Sequence, residues 1–361
     1  MPCGQCQSRR ANLRAFQGTM LFQCSERRFS PARPWAGKTA NIQVFSTTIG
    51  IPTMRVFRGI PAQAADPIAL TIGNFDGVHL GHQAMLAKHV AAARERNLPA
   101  AVMTFEPHPR EFFTPDSAPA RLTSLREKLE LLRDAGVDRV YVCRFNRAFS
   151  AIGADDFVTR ILHQRLAVKW LLVGDDFSFG AARVGDYALL ARYAAPFGFT
   201  LSAMPSVEVA GQRVSSTLVR HALAAGDLAL AKTYLGRDYC ISGRVMHGDK
   251  LGRTLGFPTA NVQIKHNSPP VAGIFAVKLH VAGRRALNGV ASLGTRPTIA
   301  PNGGLRLEVH VLDFSGDLYG LHVRVEFLLK IRDEAEYADL PALTAQIARD
   351  TQDARAYFES V

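Results

Sequence analysis

Two textures of hydrophobic patterning divide the chain. From Met54 to about Asp238, short apolar β-type runs alternate with stretches whose apolar residues recur every three to four positions. The run Ile68-Ala69-Leu70-Thr71-Ile72 predicts a strand, and 80–96 predicts a helix with Leu86, Val90 and Ala93 on its inner face. Further strands are predicted over 100–105, 139–145, 169–173 and 199–204, and a helix over 186–195. Ser124 and Glu127 form a capping box ahead of Leu125, Leu129 and Leu132, which share one helical face. Such alternation implies a parallel sheet covered by helices on both faces.

After Tyr239 the texture changes to β-type runs punctuated by glycine: 239–246, 274–281, 284–293, 305–312 and 322–331. Ala282-Gly283 is placed for a hairpin turn. Several strands with few helices predict a small antiparallel barrel or sandwich, closed by a last helix over 334–358. The expected domains are therefore 54–238 and 239–361, and a length of 361 residues suits two.

Residues 1–53 stand apart. They lack a sustained hydrophobic period, are broken by Pro31, Pro34 and Pro52, and carry seven basic residues against one acidic. Half of the formal charge of +12 lies there. The segment is expected to be a disordered extension or the product of a start assigned upstream of Met54, with an organelle transit peptide as the other reading. The remaining charge suits a protein that handles anionic nucleotides, and binding of nucleic acid is not expected. No apolar run reaches the roughly 18 residues of a membrane span. Cys143 and Cys240 make no disulfide framework, and Cys3 and Cys6 form a lone CxxC, so a reducing, cytoplasmic setting without a zinc site is expected.

Candidate chemistry concentrates in a few segments. TIGNFDGVHLGH (71–82) leaves a strand, turns on Gly73 and Gly77, and sets His79 and His82 at a helix start, where unpaired amides favour phosphate. Asn74, Phe75 and Asp76 lie in the same turn, and Gly81 lets a phosphate approach the backbone. Four residues of HxGH are cheap to match by chance, and a capping turn with two surface histidines is the plain alternative. Ser215, Ser216, Thr217 and Arg220 form a second helix start able to hold phosphate oxygens, or simply a serine cap. The loop 174–180, with Asp176 and with Arg183 beyond it, suits a planar base or ring.

In the second half, the run 247–261 (HGDKLGRTLGFPTAN) has Gly248, Gly252 and Gly256 to let backbone wrap a polyphosphate. Thr259 and Asn261 alternate along an extended chain, so both oxygens face one way and could share Mg2+. Read alone, the run is equally an irregular barrel loop. Glu308 alone reads as a solvated strand residue, and His310 as a structural one.

HxGH, the DFxFG loop and SSTxxR together resemble the adenylyltransferase module of the bacterial bifunctional riboflavin kinase/FAD synthetase family, as do 104–109 (TFEPHP) and 145–150 (FNRAFS). GRxLGFPTAN, 294–298 (GTRPT) and 308–310 (EVH) resemble its kinase module, so the likeness spans about 54–335. Val214 stands where the family often has isoleucine. The resemblance implies a Rossmann-like α/β domain followed by a Greek-key β-barrel. It implies ATP-dependent phosphorylation of riboflavin to FMN, then adenylyl transfer to FMN giving FAD and pyrophosphate. ATP and FMN would be held by Gly73, Asn74, Phe75, Asp76, Gly81, Asn146, Asp176, Arg183, Ser216, Thr217 and Arg220, with His79 and His82 stabilising phosphoryl charge. In the kinase, Gly248, Gly252, Arg253, Gly256, Phe257, Pro258 and Arg296 would bind ATP and riboflavin. Thr259 and Asn261 would meet Mg2+, and Glu308 would act as base. Two rivals are another HxGH nucleotidyltransferase, which has no use for the second domain, and a basic RNA-binding protein, whose affinity would fall steeply with salt.

Overall fold

A strand that is apolar at every position has no solvent face, and Ile68–Ile72 is buried along its length. It takes an interior place in a seven-stranded sheet in a computed structural model that describes residues 42–45, 54–209, 211–248, 252, 255–265, 268–294 and 305–361. The strands are β1 (Ile42–Phe45), β2 (Met54–Arg58), β3 (Ile68–Ile72), β4 (Ala100–Glu106), β5 (Arg139–Arg144), β6 (Val168–Gly174) and β7 (Thr200–Met204). Their order is β1-β2-β5-β4-β3-β6-β7, parallel except for β1 against β2. β1 comes from the stretch set aside in the sequence, and the rest of 1–53 lies outside the described residues.

Alternate residues of these strands feed opposite cores. Leu70, Met103, Leu171 and Val173 meet the helical segments Phe157–Arg165 and Tyr187–Phe197 on one face. On the other, Val102 and Val140 pack with Leu86, Leu129 and Leu132 from helices Leu80–Glu95 and Leu125–Asp134. The capping box at Ser124 and Glu127 forms as read from sequence. From β3 the chain steps to β4 and β5 on one side, then crosses to β6 and β7 on the other. The loops after β3 and β6 therefore open side by side at a topological switch point, where ligands bind in such sheets.

Helices Ser216–Ala224 and Leu228–Leu235 follow a small ladder of β8 (Glu208–Val209) and β9 (Gln212–Arg213). Both helices share one core with a closed antiparallel barrel ordered β10-β11-β14-β13-β12-β15. Its strands are β10 (Tyr239–Met246), β11 (Thr259–Gln263), β12 (Gly273–Val281), β13 (Leu287–Gly294), β14 (Arg306–Val311) and β15 (His322–Arg332). The last helix runs Leu340–Ser360, not from 334: Asp339 caps it and Pro341 sits in its first turn, where a missing N–H costs nothing. Residues 334–339 are thereby released to line a cavity.

Candidate functional site

The turn between β3 and helix Leu80–Glu95 is backbone-strained and held from outside. Phe75 (φ 48°) and Val78 (φ 40°) adopt the left-handed region, which costs a non-glycine residue about 1–3 kcal/mol. Asp76, buried beneath the turn, offsets this: its carboxylate accepts from the amides of Leu122 and Thr123, from the Thr123 hydroxyl, and from Arg220 at 2.5 Å. Burial alone would raise the Asp76 pKa, but Arg220, Lys128 and the two amides hold it below the usual carboxylate range. Arg237 donates to the carbonyls of Gly77 (2.6 Å) and Val78 (3.1 Å) from the far side.

His79 caps the helix, its Nδ1 accepting from the His82 amide at 3.4 Å. The proton of the neutral ring therefore sits on Nε2. The His79 and His82 rings stack with centroids 3.8 Å apart, and the Phe75 ring lies 5.1 Å from His82. A Cβ on Gly81 would come within 3.2 Å of the His79 ring, and one on Gly73 within 3.0 Å of Phe75, so both glycines make room for this packing. Burial, against the pull of Asp76, drives His79 down to about 4. Burial, with His79 and Lys128 adding to it, holds His82 well below its ordinary value. Both rings are thus neutral at pH 7, offering N–H dipoles and not full charges. The buried Nδ1 of His82 and Oδ1 of Asn74 have no hydrogen-bond partner among the described residues.

Because folding keeps His79 neutral, the unfolded chain binds more protons between pH 6.5 and about 4. Its contribution to stability is complete above pH 6.5 and is lost as the pH falls toward 4, a change on the order of 3 kcal/mol. Thermal unfolding at pH 7.5 and 4.5 should show a larger acid-induced fall in Tm for the wild type than for His79→Gln. Equal falls would mean that His79 does not contribute.

Ser216 joins the same centre, its hydroxyl donating to the Asp76 carbonyl at 2.9 Å, while Ser215 is the cap of its helix and Thr217 is exposed. Arg220 is paired within the protein. Its guanidinium is committed to Asp76 and the Ala120 carbonyl. Moving it to a phosphate would leave a buried carboxylate unpaired, at a cost of about 3–5 kcal/mol. Asp76 is likewise 2% exposed and turned inward, so in this structure the pair holds the turn. Asn146 caps Arg147–Ser150, Asp176 pairs with Arg213 at 2.7 Å past the end of β6, and Arg183 is exposed with φ 57°. These three stand on loops separate from the histidines. The sequence reading did not single out Arg237 or Gln83, which bind the turn to the end of helix Leu228–Leu235. A contact spanning about 150 residues leaves no local pattern.

The second centre lies on the outside of the barrel. Thr259 and Asn261 occupy one face of β11, and in register across β14 stand His310 opposite Thr259 and Glu308 opposite Asn261. Ser292 of β13 is next to Glu308, and Ile274 of β12 next to Ser292. Thr259, His310, Glu308, Ser292 and Ile274 line a cavity of about 390 Å3 roofed by the C-terminal helix through Leu343, Ile347 and Thr351. Small-molecule sites span about 300–1,000 Å3. Its apolar wall of Ile274, Val290, Leu343 and Ile347 leads to an oxygen-rich end at Thr259, Ser292 and Glu308. Beneath it, Arg332 is forked on Asp350 at 2.8 and 2.6 Å. His310 donates Nδ1–H to the Pro258 carbonyl at 2.9 Å and meets the Phe257 ring edge-on, which fixes the start of β11.

Cβ atoms on Gly248 and Gly252 would overlap the Asn261 amide and the Phe257 carbonyl, so backbone closes directly over this face. Gly256 takes φ 86° in the turn before Phe257. Arg253 and Arg296 lie outside the described residues. The apolar wall of the cavity was not read from sequence: its residues are ordinary strand and helix hydrophobics until the helix is laid across the barrel.

The model of the FAD synthetase family matches residues 62–218, and that of the riboflavin kinase family matches residues 235–358. The bifunctional riboflavin kinase/FMN adenylyltransferase of Escherichia coli strain K12 is 51% identical over 310 residues, covering 84% of this chain and 98% of that protein. The protein of the same description from Haemophilus influenzae is 47% identical, covering 85% of this chain and 100% of its own length. A crystal structure described as a macrolide-efflux protein from Streptococcus pneumoniae aligns with a TM-score of 0.69 at 29% identity, over 81% of this chain and 95% of that one. No helix among the described residues is long and apolar enough to cross a membrane.

Proposed function

The chain belongs to the bifunctional riboflavin kinase/FMN adenylyltransferase family, and from that premise we propose which residues carry each reaction. It makes FAD in two steps: ATP phosphorylates riboflavin to FMN, and a second ATP adenylates FMN with release of pyrophosphate. Both families generally use ATP and Mg2+. The observation that carries the division of labour is the presence of two separate centres, one at the switch point of the sheet and one on the barrel wall.

In the barrel, the cavity takes the isoalloxazine ring against Ile274, Val290, Leu343 and Ile347, and the ribityl chain reaches the oxygen-rich end. Glu308 accepts the proton of the 5′-hydroxyl as that oxygen attacks the γ-phosphate of ATP. Thr259 and Asn261 fit Mg2+ as neutral oxygen ligands on one face. Substrate phosphates and water would complete the shell of an ion held by these two residues. Bound there, the ion would neutralise phosphate charge. Gly248 and Gly252 bring backbone over the same face, where it can meet the ATP phosphates.

In the α/β half, the triphosphate of ATP lies on the first turn of helix Leu80–Glu95. The FMN phosphate attacks the α-phosphate, and pyrophosphate leaves. His79 donates Nε2–H to phosphoryl oxygen and His82 acts beside it, as dipoles fixed before the reaction. Asn146, Asp176 and Arg183 line the approach of the nucleotides.

The direct test is incubation of the full chain with riboflavin, ATP and Mg2+, followed by chromatography. FMN should appear first and FAD after it. No flavin conversion, with tight RNA binding instead, would overturn this reading.

A further inference from the structure

Lys128 lies on helix Leu125–Asp134 and is 2% exposed, among the largest fully buried side chains of the protein. Its helix packs through Leu129 and Leu132 against Phe75, Val78 and Leu86, the apolar underside of the histidine turn. The charges that act on Lys128 are Asp76, Glu106, Arg121 and Glu111, and Lys128 in turn acts on His82 and His108. Its helix thus lies against the histidine turn, and its charge is felt by Asp76 and His82.

The neighbouring carboxylates already have guanidinium partners. Arg220 holds Asp76, and Arg121 is forked on Glu106 at 2.9 and 2.7 Å while also gripping Glu111 at 2.5 Å. Lys128 balances this set in charge, three cations to three carboxylates, yet among the described residues its ammonium makes no hydrogen bond or ion pair. An ammonium on a side chain this little exposed, with no acceptor among the described residues, is costly unless another group supplies one. On the adjoining first turn, the buried Nδ1 of His82 also lacks a partner.

We propose that Lys128 binds phosphoryl oxygen in the adenylyl-transfer centre, donating to a phosphate of FMN or to the pyrophosphate end of ATP as the nucleotides meet at the histidine turn. The assignment rests on the reading of that turn as the adenylyl-transfer site. A phosphate arriving there satisfies the ammonium, and the surrounding carboxylates keep the site near neutrality until it does. Arg121 is already paired with both Glu106 and Glu111.

The experiment is steady-state FAD formation by the full chain, comparing wild type, Lys128→Met and Lys128→Arg. KM for FMN and for ATP are measured separately, and riboflavin phosphorylation is followed in the same preparations. Lys128→Met should raise one KM about tenfold to a hundredfold, the scale of one charge-assisted hydrogen bond. Riboflavin phosphorylation should be unchanged, and Lys128→Arg should recover part of the loss. A rise in KM for FMN places the contact on the acceptor phosphate, and a rise in KM for ATP places it on the pyrophosphate.

If Lys128→Met makes FAD with both KM values and kcat within twofold of wild type, the proposal is wrong. If Lys128→Met and Lys128→Arg lose activity equally, with a matching fall in Tm, the role is structural and the proposal is also wrong. A wild-type protein that makes no FAD would overturn the underlying reading instead, so the two failures are distinguishable.

Discussion

Glu308→Gln should lower riboflavin phosphorylation by about 10²–10⁴-fold, the contribution of a positioned general base. FMN supplied directly should still be converted to FAD at the wild-type rate. The substitution keeps the shape of the side chain and removes only its capacity to accept a proton. Glu308 stands in register between Asn261 and Ser292, at the oxygen-rich end of the cavity. A riboflavin hydroxyl and the γ-phosphate of ATP must meet at that end if the ring occupies the apolar wall. Initial rates of FMN formation, read by chromatography of the flavins, check the prediction. A normal rate would remove Glu308 from the role of base.

His82→Ala has the opposite expected signature. FAD formation should fall by about 10²–10³-fold, the usual loss on deleting one preorganised donor at a site of developing charge. Riboflavin should still be phosphorylated, so FMN accumulates. His79→Ala should behave alike, because the two rings stack and His79 also caps the helix. Both imidazoles are neutral in the unliganded protein, so bringing phosphate to the site raises their affinity for protons. Equal loss of both activities in either variant would refute the division of labour between the two halves.

Local elements were legible in the sequence because their causes are local. The strands carry period-two or fully apolar runs, and the capping box of Ser124 and Glu127 closes within four residues. The last helix begins at Leu340 and not at 334, with Pro341 in its first turn, where the missing N–H is tolerated. Arg220 shows a different limit. An arginine near a glycine turn suggests phosphate, yet the partner it takes is Asp76, 144 positions away. Nothing local distinguishes a cation held by a buried carboxylate from one waiting for a ligand.

The sequence by itself determined the two-part architecture, the family and the segments that carry chemistry, since motif spacing and hydrophobic period are encoded within short windows. Tertiary structure alone decided which residues are available to substrate. It committed Arg220 and Asp76 to each other and kept His79 and His82 neutral by burial. It built a cavity from the C-terminal helix and the barrel wall, and buried the Lys128 side chain on the helix that packs against the histidine turn. Each of these outcomes depends on which groups distant in sequence come within a few ångströms and lose their water. That is a property of the packed fold, and no window of the chain contains it.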